Sequence, residues 1–160
     1  MKIGDLAPDF ELPLGNGERF RLSNLRDLTC VVLYFYPRDF TWGCTREGCM
    51  FSEHITEISK LGAFIVGISA DSVESHRKFS EANHFPFPLA SDEGMEVCRM
   101  YDAVWFWGNT TRRMTYIIDE RGIIRGKTLH EIFIERHWKY VSKTLRDLKD
   151  EAIGQHVHEN

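Results

Sequence analysis

The stretch VVLYFYPRDFTWGCTREGCMF, residues 31–51, decides which fold the chain adopts. It opens with six apolar or aromatic residues, Val31 to Tyr36, and this composition is typical of a strand buried on both faces. Pro37 follows directly and ends the strand, because proline has no N–H to donate to a neighbouring strand. We therefore predict a central buried strand that ends at a short polar loop.

A helix is predicted to follow that loop. Thr41 can cap this helix, its first residue is Trp42 or Gly43, and apolar residues then recur at helical spacing: Phe51, Ile55, Ile58 and Leu61. Cys44 then lies in the first turn, directly above the buried strand, where free N–H groups and the positive end of the helix dipole favour a thiolate. A buried structural cysteine is the alternative role for Cys44.

Length and composition favour one globular domain, residues 1–160, with residues 151–160 as a frayed tail. The chain has 20 Lys and Arg against 24 Asp and Glu, so no basic excess supports nucleic-acid or anionic-membrane binding. The N-terminus has no apolar signal-peptide run and no stretch approaches about 20 apolar residues, so we expect a cytoplasmic protein without a membrane span. Four cysteines in this length indicate one or two reactive thiols rather than a disulfide scaffold.

The rest of the chain predicts an α/β fold built around the first strand. A second apolar strand, Ala63–Ser69, follows the helix, and a strand–helix–strand unit makes the two strands parallel neighbours. The other predicted elements are a hairpin around residues 15–17, a helical turn at Ser23–Leu25, a helix from Asp71 or Ser72 to Asn83, an extended piece at Phe87–Ala90, a helix at Asp92–Tyr101, a hairpin of Thr115–Ile118 with Ile123–Leu129, and a C-terminal helix whose apolar face runs from Ile134 to Leu148.

Residues Pro37, Thr41 and Cys44 match the Pro-x-x-x-Thr-x-x-Cys signature of peroxiredoxins. The fuller stretch resembles the bacterioferritin-comigratory (PrxQ) branch, whose pattern is Tyr-Phe-Tyr-Pro-x-Asp-x-Thr-Pro-Gly-Cys-Thr-x-Glu-x-Cys. Trp42 is the departure, since the branch usually has Pro there. The resemblance implies a thioredoxin-like fold of the peroxiredoxin type, with a central mixed sheet flanked by helices and an N-terminal hairpin.

The same resemblance implies roles for three residues of the helix. Cys44 would be the peroxidatic cysteine, Cys49 the resolving cysteine that forms an intramolecular disulfide with it, and Glu47 a support for an active-site arginine. A core cysteine at position 49 and an ordinary first-turn glutamate at position 47 are the alternatives. Cys30 and Cys98 are predicted to be buried and inert.

A second match points to that arginine. The run Arg113-Met114-Thr115-Tyr116-Ile117-Ile118-Asp119 resembles the family's Arg-x-Thr-Phe-Leu-Ile-Asp strand, whose arginine faces the reactive cysteine. Counting from the threonine favours Arg113 over its neighbour Arg112, and a solvated surface arginine is the alternative. Lowering a thiol pKa from ~8.5 to ~6 raises its thiolate fraction at pH 7 only about thirtyfold, so further acceleration has to come from positioning and charge stabilisation. We assign that work to Arg113 and to Thr41, for which helix capping alone is the alternative role.

The resemblance implies a thiol peroxidase that reduces hydrogen peroxide and small organic hydroperoxides, uses no cofactor and is recycled by a thioredoxin- or glutaredoxin-like reductant. A monomer or a homodimer is expected. The seven histidines show no metal-ligand spacing with the cysteines, which argues against a zinc site. The alternatives are a disulfide oxidoreductase on the same fold, which lacks support because there is no Cys-x-x-Cys pair, and a redox sensor or holdase that binds partners through exposed aromatic residues.

Resolution by Cys49 would require movement. Five residues along an α-helix give ~7.5 Å of rise and about 500° of rotation, so a Cys44–Cys49 disulfide needs the first turns to unwind. Gly43 and Gly48 would make that segment less stable, by roughly 1 kcal/mol each relative to Ala. Unwinding would also take Trp42 out of its packing in the reduced state, so its fluorescence is predicted to change on oxidation.

Overall fold

A five-stranded mixed sheet lies at the centre of the molecule, in a computed structural model that describes residues 1–159. The strands are β1 (Glu11–Pro13), β2 (Arg19–Arg21), β3 (Cys30–Phe35), β4 (Ala63–Ser69), β5 (Leu89–Ser91), β6 (Met114–Ile118) and β7 (Ile124–Leu129). The α-helices are α1 (Trp42–Glu53), α2 (Ile55–Lys60), α3 (Val73–Asn83), α4 (Glu96–Met100) and α5 (Glu135–His158), and a short 3-10 helix spans Leu22–Leu25. The central sheet has the order β5-β4-β3-β6-β7.

Strand β3 occupies the middle of this sheet, as its apolar sequence predicts. It pairs in parallel with β4 and antiparallel with β6, so both of its edges are bonded. Side chains alternate between the two faces of a strand, and here both faces are covered. Leu33 and Phe35 belong to one core cluster, and Val32 and Tyr34 belong to the other. The β3–α1–β4 unit is therefore confirmed, and it places the N-terminus of α1 at the carboxyl end of the central strand.

The N-terminal hairpin is also confirmed. Strands β1 and β2 pair antiparallel, and the turn between them contains Gly17 with a φ of 89°, a left-handed conformation that favours glycine. Leu12 and Phe20 point from the two strands into the core cluster that contains Leu33. The hairpin therefore covers one face of the central sheet, away from the face that carries α1.

Three helices differ from their predicted lengths. The helix after β3 is interrupted at His54, whose backbone is not helical (φ −105°, ψ 10°). The His54 ring stacks on Trp138 of α5, with the two ring centroids 3.9 Å apart. Helix α4 begins only at Glu96, because Met95 has a left-handed backbone (φ 57°) that a continuous helix excludes. Helix α5 continues to His158, through most of the predicted frayed tail, and Asn160 lies outside the described residues. Among residues 1–159, no helix combines the length and apolarity needed to cross a bilayer.

Candidate active site

Cys44 is the third residue of α1 and is almost fully buried, with 2% of its surface exposed. Thr41 occupies the cap position with an extended backbone, and its carbonyl accepts the first helical bond, from Thr45 at 2.9 Å. The prediction that the Thr41 side chain caps the helix is wrong, because its hydroxyl oxygen accepts no hydrogen bond from the first turn. The hydroxyl donates instead to the carbonyl of Arg38 at 2.8 Å. The first N–H groups of α1 therefore remain free beside Cys44.

The loop between β3 and α1 is held by buried polar contacts that sequence reasoning did not identify. Asp39 accepts a hydrogen bond from the Tyr36 hydroxyl at 2.6 Å and lies 2.8 Å from Nδ1 of His76, a residue of α3. Its backbone N–H donates to Asp71 at 2.8 Å. Asp39, Asp71 and His76 lie close enough together to hold a metal ion, but both oxygens of Asp39 and both ring nitrogens of His76 already bond to protein groups. These contacts instead anchor the loop that carries Thr41.

Arg113 reaches the Cys44 sulfur from the neighbouring strand β6. It directly precedes that strand, and its Nη1 and Nη2 atoms each lie 3.5 Å from Sγ of Cys44. Arg112 goes elsewhere: its guanidinium stacks on Trp105 at 4.5 Å and lies 3.6 Å from Glu131. The structure thus brings Arg113, and not Arg112, to the predicted site.

Glu47 binds the same guanidinium as Cys44. It is fully buried, in the second turn of α1, and its Oε1 accepts from Nη1 of Arg113 at 3.0 Å. An exposed first-turn glutamate is therefore excluded. Burial raises the pKa of Glu47 to about 7, although the positive charge of Arg113 opposes the rise.

The electrostatics of Cys44 differ from the expectation. Burial raises the pKa of the Cys44 thiol above its usual value, and the positive charge of Arg113 is the largest influence that opposes this rise. The Thr41 hydroxyl and the N–H of Arg38 also favour the thiolate, but the hydroxyl has one proton to donate and gives it to the Arg38 carbonyl here. The helix terminus alone does not make Cys44 acidic, so the thiolate depends on Arg113.

His137 of α5 was missed by sequence reasoning. It is fully buried, and its ring nitrogens lie 2.9 Å from the Thr115 hydroxyl and 2.9 Å from the carbonyl of His130. Burial lowers the pKa of His137 to about 4, so this ring is neutral at neutral pH. Its position, 3.8 Å from Oε2 of Glu47, has no signal in the sequence other than a histidine on the apolar face of a helix.

Cys49 lies in the same unbroken helix as Cys44 and is partly buried against the core cluster that contains Cys44. Five residues of helix separate the two cysteines by ~7.5 Å along the axis, so they are not brought together in this state. Pro37 lies in the bend after β3 and is partly buried, which puts it at the start of the loop that leads to Cys44.

The two other cysteines lie away from Arg113. Cys98 is fully buried in the opposite core cluster, as predicted, and burial raises its thiol pKa far above the usual value. Cys30 is only partly buried, so the prediction of full burial is wrong for it. Burial, with a smaller effect from Glu120, raises its pKa to about 11, which leaves it a thiol at neutral pH.

Both glycines of α1 are explained by close packing. A Cβ at Gly43 would lie 2.9 Å from Nη2 of Arg113, so the missing side chain leaves room for the guanidinium over Cys44. A Cβ at Gly48 would overlap the Phe85 ring. The expected packing of Trp42 is wrong, because 79% of its surface is exposed, and a fluorescence change on oxidation therefore has no basis in lost packing.

The sequence of this chain is similar to those of known peroxiredoxins. A family model described as AhpC/TSA matches residues 3–127. The putative peroxiredoxin bcp of Coxiella burnetii is 39% identical over 130 residues, which cover 78% of this chain and 85% of that protein. Peroxiredoxin Bcp of Bacillus subtilis is 35% identical over 159 residues, which cover 94% of this chain and 98% of that protein.

Solved structures agree with these relatives. Peroxidoxin BcpB from Mycobacterium tuberculosis has a TM-score of 0.85 at 36% identity, over 92% of this chain and 97% of its own. Xanthomonas campestris peroxiredoxin Q has a TM-score of 0.80 at 32% identity, over 88% and 91%. The thioredoxin-like fold of the peroxiredoxin type, predicted from the resemblance, is therefore confirmed. The chain belongs to the AhpC/TSA family, in its peroxiredoxin Bcp/Q branch, and is a thiol peroxidase of that class.

Proposed function

We propose that this protein reduces hydrogen peroxide and small organic hydroperoxides through Cys44, with Cys49 as the resolving thiol. The observation that carries the proposal is the position of Arg113, whose two terminal nitrogens both lie 3.5 Å from the Cys44 sulfur. A rigid fork of donors at this place binds a thiolate, and it also stabilises negative charge on an oxygen that departs next to the sulfur.

In the first step the Cys44 thiolate attacks one peroxide oxygen in line with the O–O bond. The S–O bond forms as the O–O bond breaks, so the sulfur is oxidised to a sulfenic acid and the peroxide is reduced. The departing alkoxide or hydroxide takes a proton and leaves as alcohol or water. Arg113 stabilises its charge, and Thr41 assists by exchanging its bond to the Arg38 carbonyl for one to the peroxide.

In the second step Cys49 attacks the sulfenic sulfur, a disulfide forms and water leaves. The intact helix α1 holds the two cysteines too far apart for this bond, so its first turns unwind before resolution. A thioredoxin- or glutaredoxin-like dithiol then reduces the disulfide by thiol exchange and becomes oxidised itself, and α1 refolds around the reduced thiols.

Peroxide consumption in the presence of thioredoxin, its reductase and excess electron donor tests the proposal. The wild type is expected to turn over, Cys44→Ser to be inactive, and Cys49→Ser to consume about one equivalent of peroxide and then stop with thioredoxin as reductant. Turnover by Cys44→Ser would place the nucleophile elsewhere. Exchange with protein disulfides and no peroxide consumption would instead identify a disulfide oxidoreductase.

A redox sensor or holdase is the second candidate, because large apolar side chains near α1 and the 105–107 loop are exposed. The exposed fractions are 57% for Phe40, 79% for Trp42 and 93% for Phe106. Such side chains are often binding surfaces. A sensor would react with peroxide once and would bind a partner in one redox state, whereas a peroxidase turns over as long as reductant is present.

A further inference from the structure

The ring of His76 in α3 is fully buried, with a carbonyl on one side and a carboxyl group on the other. Nε2 of His76 lies 3.0 Å from the Ala90 carbonyl oxygen, and Nδ1 lies 2.8 Å from Oδ2 of Asp39. A carbonyl oxygen accepts and does not donate, so Nε2 carries a proton. An ionised carboxylate also only accepts, so a neutral ring would turn the lone pair of Nδ1 towards it. A proton therefore lies between Nδ1 and Asp39.

The other partners of Asp39 favour its ionised form. Its Oδ1 accepts from the Tyr36 hydroxyl at 2.6 Å, and its Oδ2 accepts from the Ser75 hydroxyl at 2.8 Å. Burial raises the pKa of Tyr36 well above the usual value, so this phenol keeps its proton and donates it. Hydrogen bonds donated to a carboxyl group stabilise its charged form. The shared proton thus belongs to the ring, which makes His76 an imidazolium.

A second carboxylate, Asp71, increases the need for a positive charge at this place. Its Oδ2 accepts from the backbone N–H of Asp39 at 2.8 Å and from the Ser69 hydroxyl at 2.6 Å. One side-chain atom each of Asp39, Asp71 and His76 lies within 4.8 Å of the others. No lysine or arginine among residues 1–159 forms an ion pair with either carboxylate, and His76 is the basic residue that pairs with Asp39. Because a buried charge without compensation is costly, the His76 ring supplies the cation.

His137 offers a comparison within the same chain. This ring is also fully buried, and its Nε2 lies 2.9 Å from a carbonyl oxygen, that of His130. Its Nδ1 lies 2.9 Å from the Thr115 hydroxyl, which can donate, whereas Nδ1 of His76 faces a carboxylate. Burial lowers the pKa of His137 to about 4, so that ring is neutral at neutral pH. The two rings differ in the group beside Nδ1, and we expect them to differ in charge.

The contacts of Asp39 lie two residues before Thr41. Phe40, between them, has a φ of 62°, a left-handed backbone conformation that phenylalanine adopts only where the surrounding structure holds it. Helix α1 holds the chain on one side of Phe40, and the bonds of Asp39 hold it on the other. Without those bonds Phe40 would return to an ordinary backbone conformation, and the Thr41 hydroxyl would move relative to Cys44.

We propose that His76 is a positioning residue for peroxide reduction, an imidazolium whose charge pair with Asp39 fixes Thr41. The ring compensates the buried carboxylates, and the carboxylate of Asp39 then holds the loop in the conformation that presents the Thr41 hydroxyl to a peroxide. The positioning role rests on the proposed function. The charge of the ring does not, and it can be measured on the reduced protein without peroxide.

NMR of the histidine ring nitrogens at neutral pH tests the charge directly. We expect both ring nitrogens of His76 to be protonated, and Nε2 alone in His137, which is the internal control. In Asp39→Asn the His76 ring is expected to lose its Nδ1 proton, because the carboxylate that holds this proton has become an amide, while His137 stays unchanged. An unprotonated Nδ1 in the wild type, or a His76 ring that keeps both protons in Asp39→Asn, would overturn the charge pair.

A double-mutant cycle tests the positioning role. Asp39→Asn is expected to slow the oxidation of Cys44 by hydrogen peroxide about tenfold or more in a single turnover, because Thr41 is no longer held in place. In the Thr41→Val background the same change is expected to slow oxidation less than about threefold, since the hydroxyl that it misplaces is already absent. Equal losses in both backgrounds, or a wild-type rate in Asp39→Asn, would overturn the role.

Asp92→Asn is the matched control for the loss of a buried carboxylate. Asp92 is 3% exposed against 5% for Asp39, but it accepts from the backbone N–H of Cys98. Its peroxide rate is expected to match the wild type, and a loss as large as that of Asp39→Asn would overturn the positioning role. A wild type that does not reduce peroxide would overturn the proposed function, and the ring spectra would still decide the charge pair.

Discussion

Cys44 and Cys98 are two buried thiols on opposite faces of the same sheet, with opposite charges beside them. Cys44 has 2% of its surface exposed and faces the guanidinium of Arg113 at 3.5 Å. Cys98 has 0% exposed, its own N–H donates to Asp92 at 2.8 Å, and the Asp92 charge adds to burial in raising its thiol pKa. Burial raises the pKa of both thiols, and the neighbouring charge separates them: Arg113 opposes the rise at Cys44, whereas Asp92 adds to it at Cys98.

Alkylation of the native protein should show the largest difference between the two thiols. At neutral pH Cys44 is expected to react with iodoacetamide faster than Cys98 by on the order of a thousandfold, because the Cys98 thiolate is both rarer and less accessible. The two rates are read from separate tryptic peptides, residues 39–46 and 79–99, and become equal in denaturant as the internal control. Similar rates in the native state would remove the contrast between the two sites.

Arg113→Lys is expected to lower the rate of peroxide reduction by about a hundredfold or more, because a point charge cannot reproduce two donors aimed at the sulfur. The Cys44 alkylation midpoint should also move to higher pH. Arg112→Lys is the matched control, since Arg112 stacks on Trp105 and does not touch Cys44. If Arg112→Lys were impaired in peroxide reduction and Arg113→Lys were not, the role would belong to Arg112.

Gly43→Ala tests whether the space beside Cys44 belongs to the guanidinium. The added Cβ would lie 2.9 Å from Nη2 of Arg113, so we expect peroxide reduction to slow roughly tenfold while the helix gains intrinsic stability. Gly154→Ala in α5 is the control, because its Cβ meets nothing within 4 Å and should leave the rate unchanged. A normal rate in Gly43→Ala would show that Arg113 tolerates displacement.

His137 should make stability pH-dependent on the Cys44 side of the sheet. Its folded-state pKa of about 4 lies below the ordinary 6.5. The neutral ring's contribution to the free energy of unfolding is therefore fully present above pH 6.5 and is lost as the pH falls through 4. Relative to wild type, His137→Asn is expected to gain roughly 3 kcal/mol in free energy of unfolding between pH 7 and pH 4. Urea unfolding at both values measures this, and a constant difference between variant and wild type would contradict it.

The backbone frame of the site could be predicted because its signals are local. The unbroken apolar run of β3, Pro37 and the helical spacing after Thr41 place Cys44 correctly, since each reports on its own segment. Arg113 could be chosen over Arg112 only through the family pattern. In the structure Arg113, directly before β6, reaches Cys44, whereas Arg112 stacks on Trp105.

The electrostatics of the site could not be predicted because they depend on contacts between distant segments. The sequence around Cys44 indicates the helix dipole but not the desolvation that packing against β3 and α5 imposes, and burial raises the thiol pKa where the dipole predicts a lower one. The Asp39–His76 contact joins residues 37 positions apart, and the sequence around either residue gives no sign of its partner. The expectation that Trp42 is packed in the reduced state is wrong for the same reason, since the fold leaves 79% of its surface exposed.

Treatment of the reduced protein with one equivalent of hydrogen peroxide, followed by alkylation and tryptic mapping, tests the central claim most directly. The four cysteines fall on four different peptides, residues 27–38, 39–46, 47–60 and 79–99. If Cys44 is the nucleophile and α1 unwinds for resolution, peptide 39–46 will be joined by a disulfide to peptide 47–60 of the same chain. The Cys49→Ser variant will instead carry a sulfenic acid, trapped by dimedone, on peptide 39–46. A disulfide from peptide 39–46 to 27–38, to 79–99 or to a second chain, or a sulfenic acid on any other cysteine, would contradict the account.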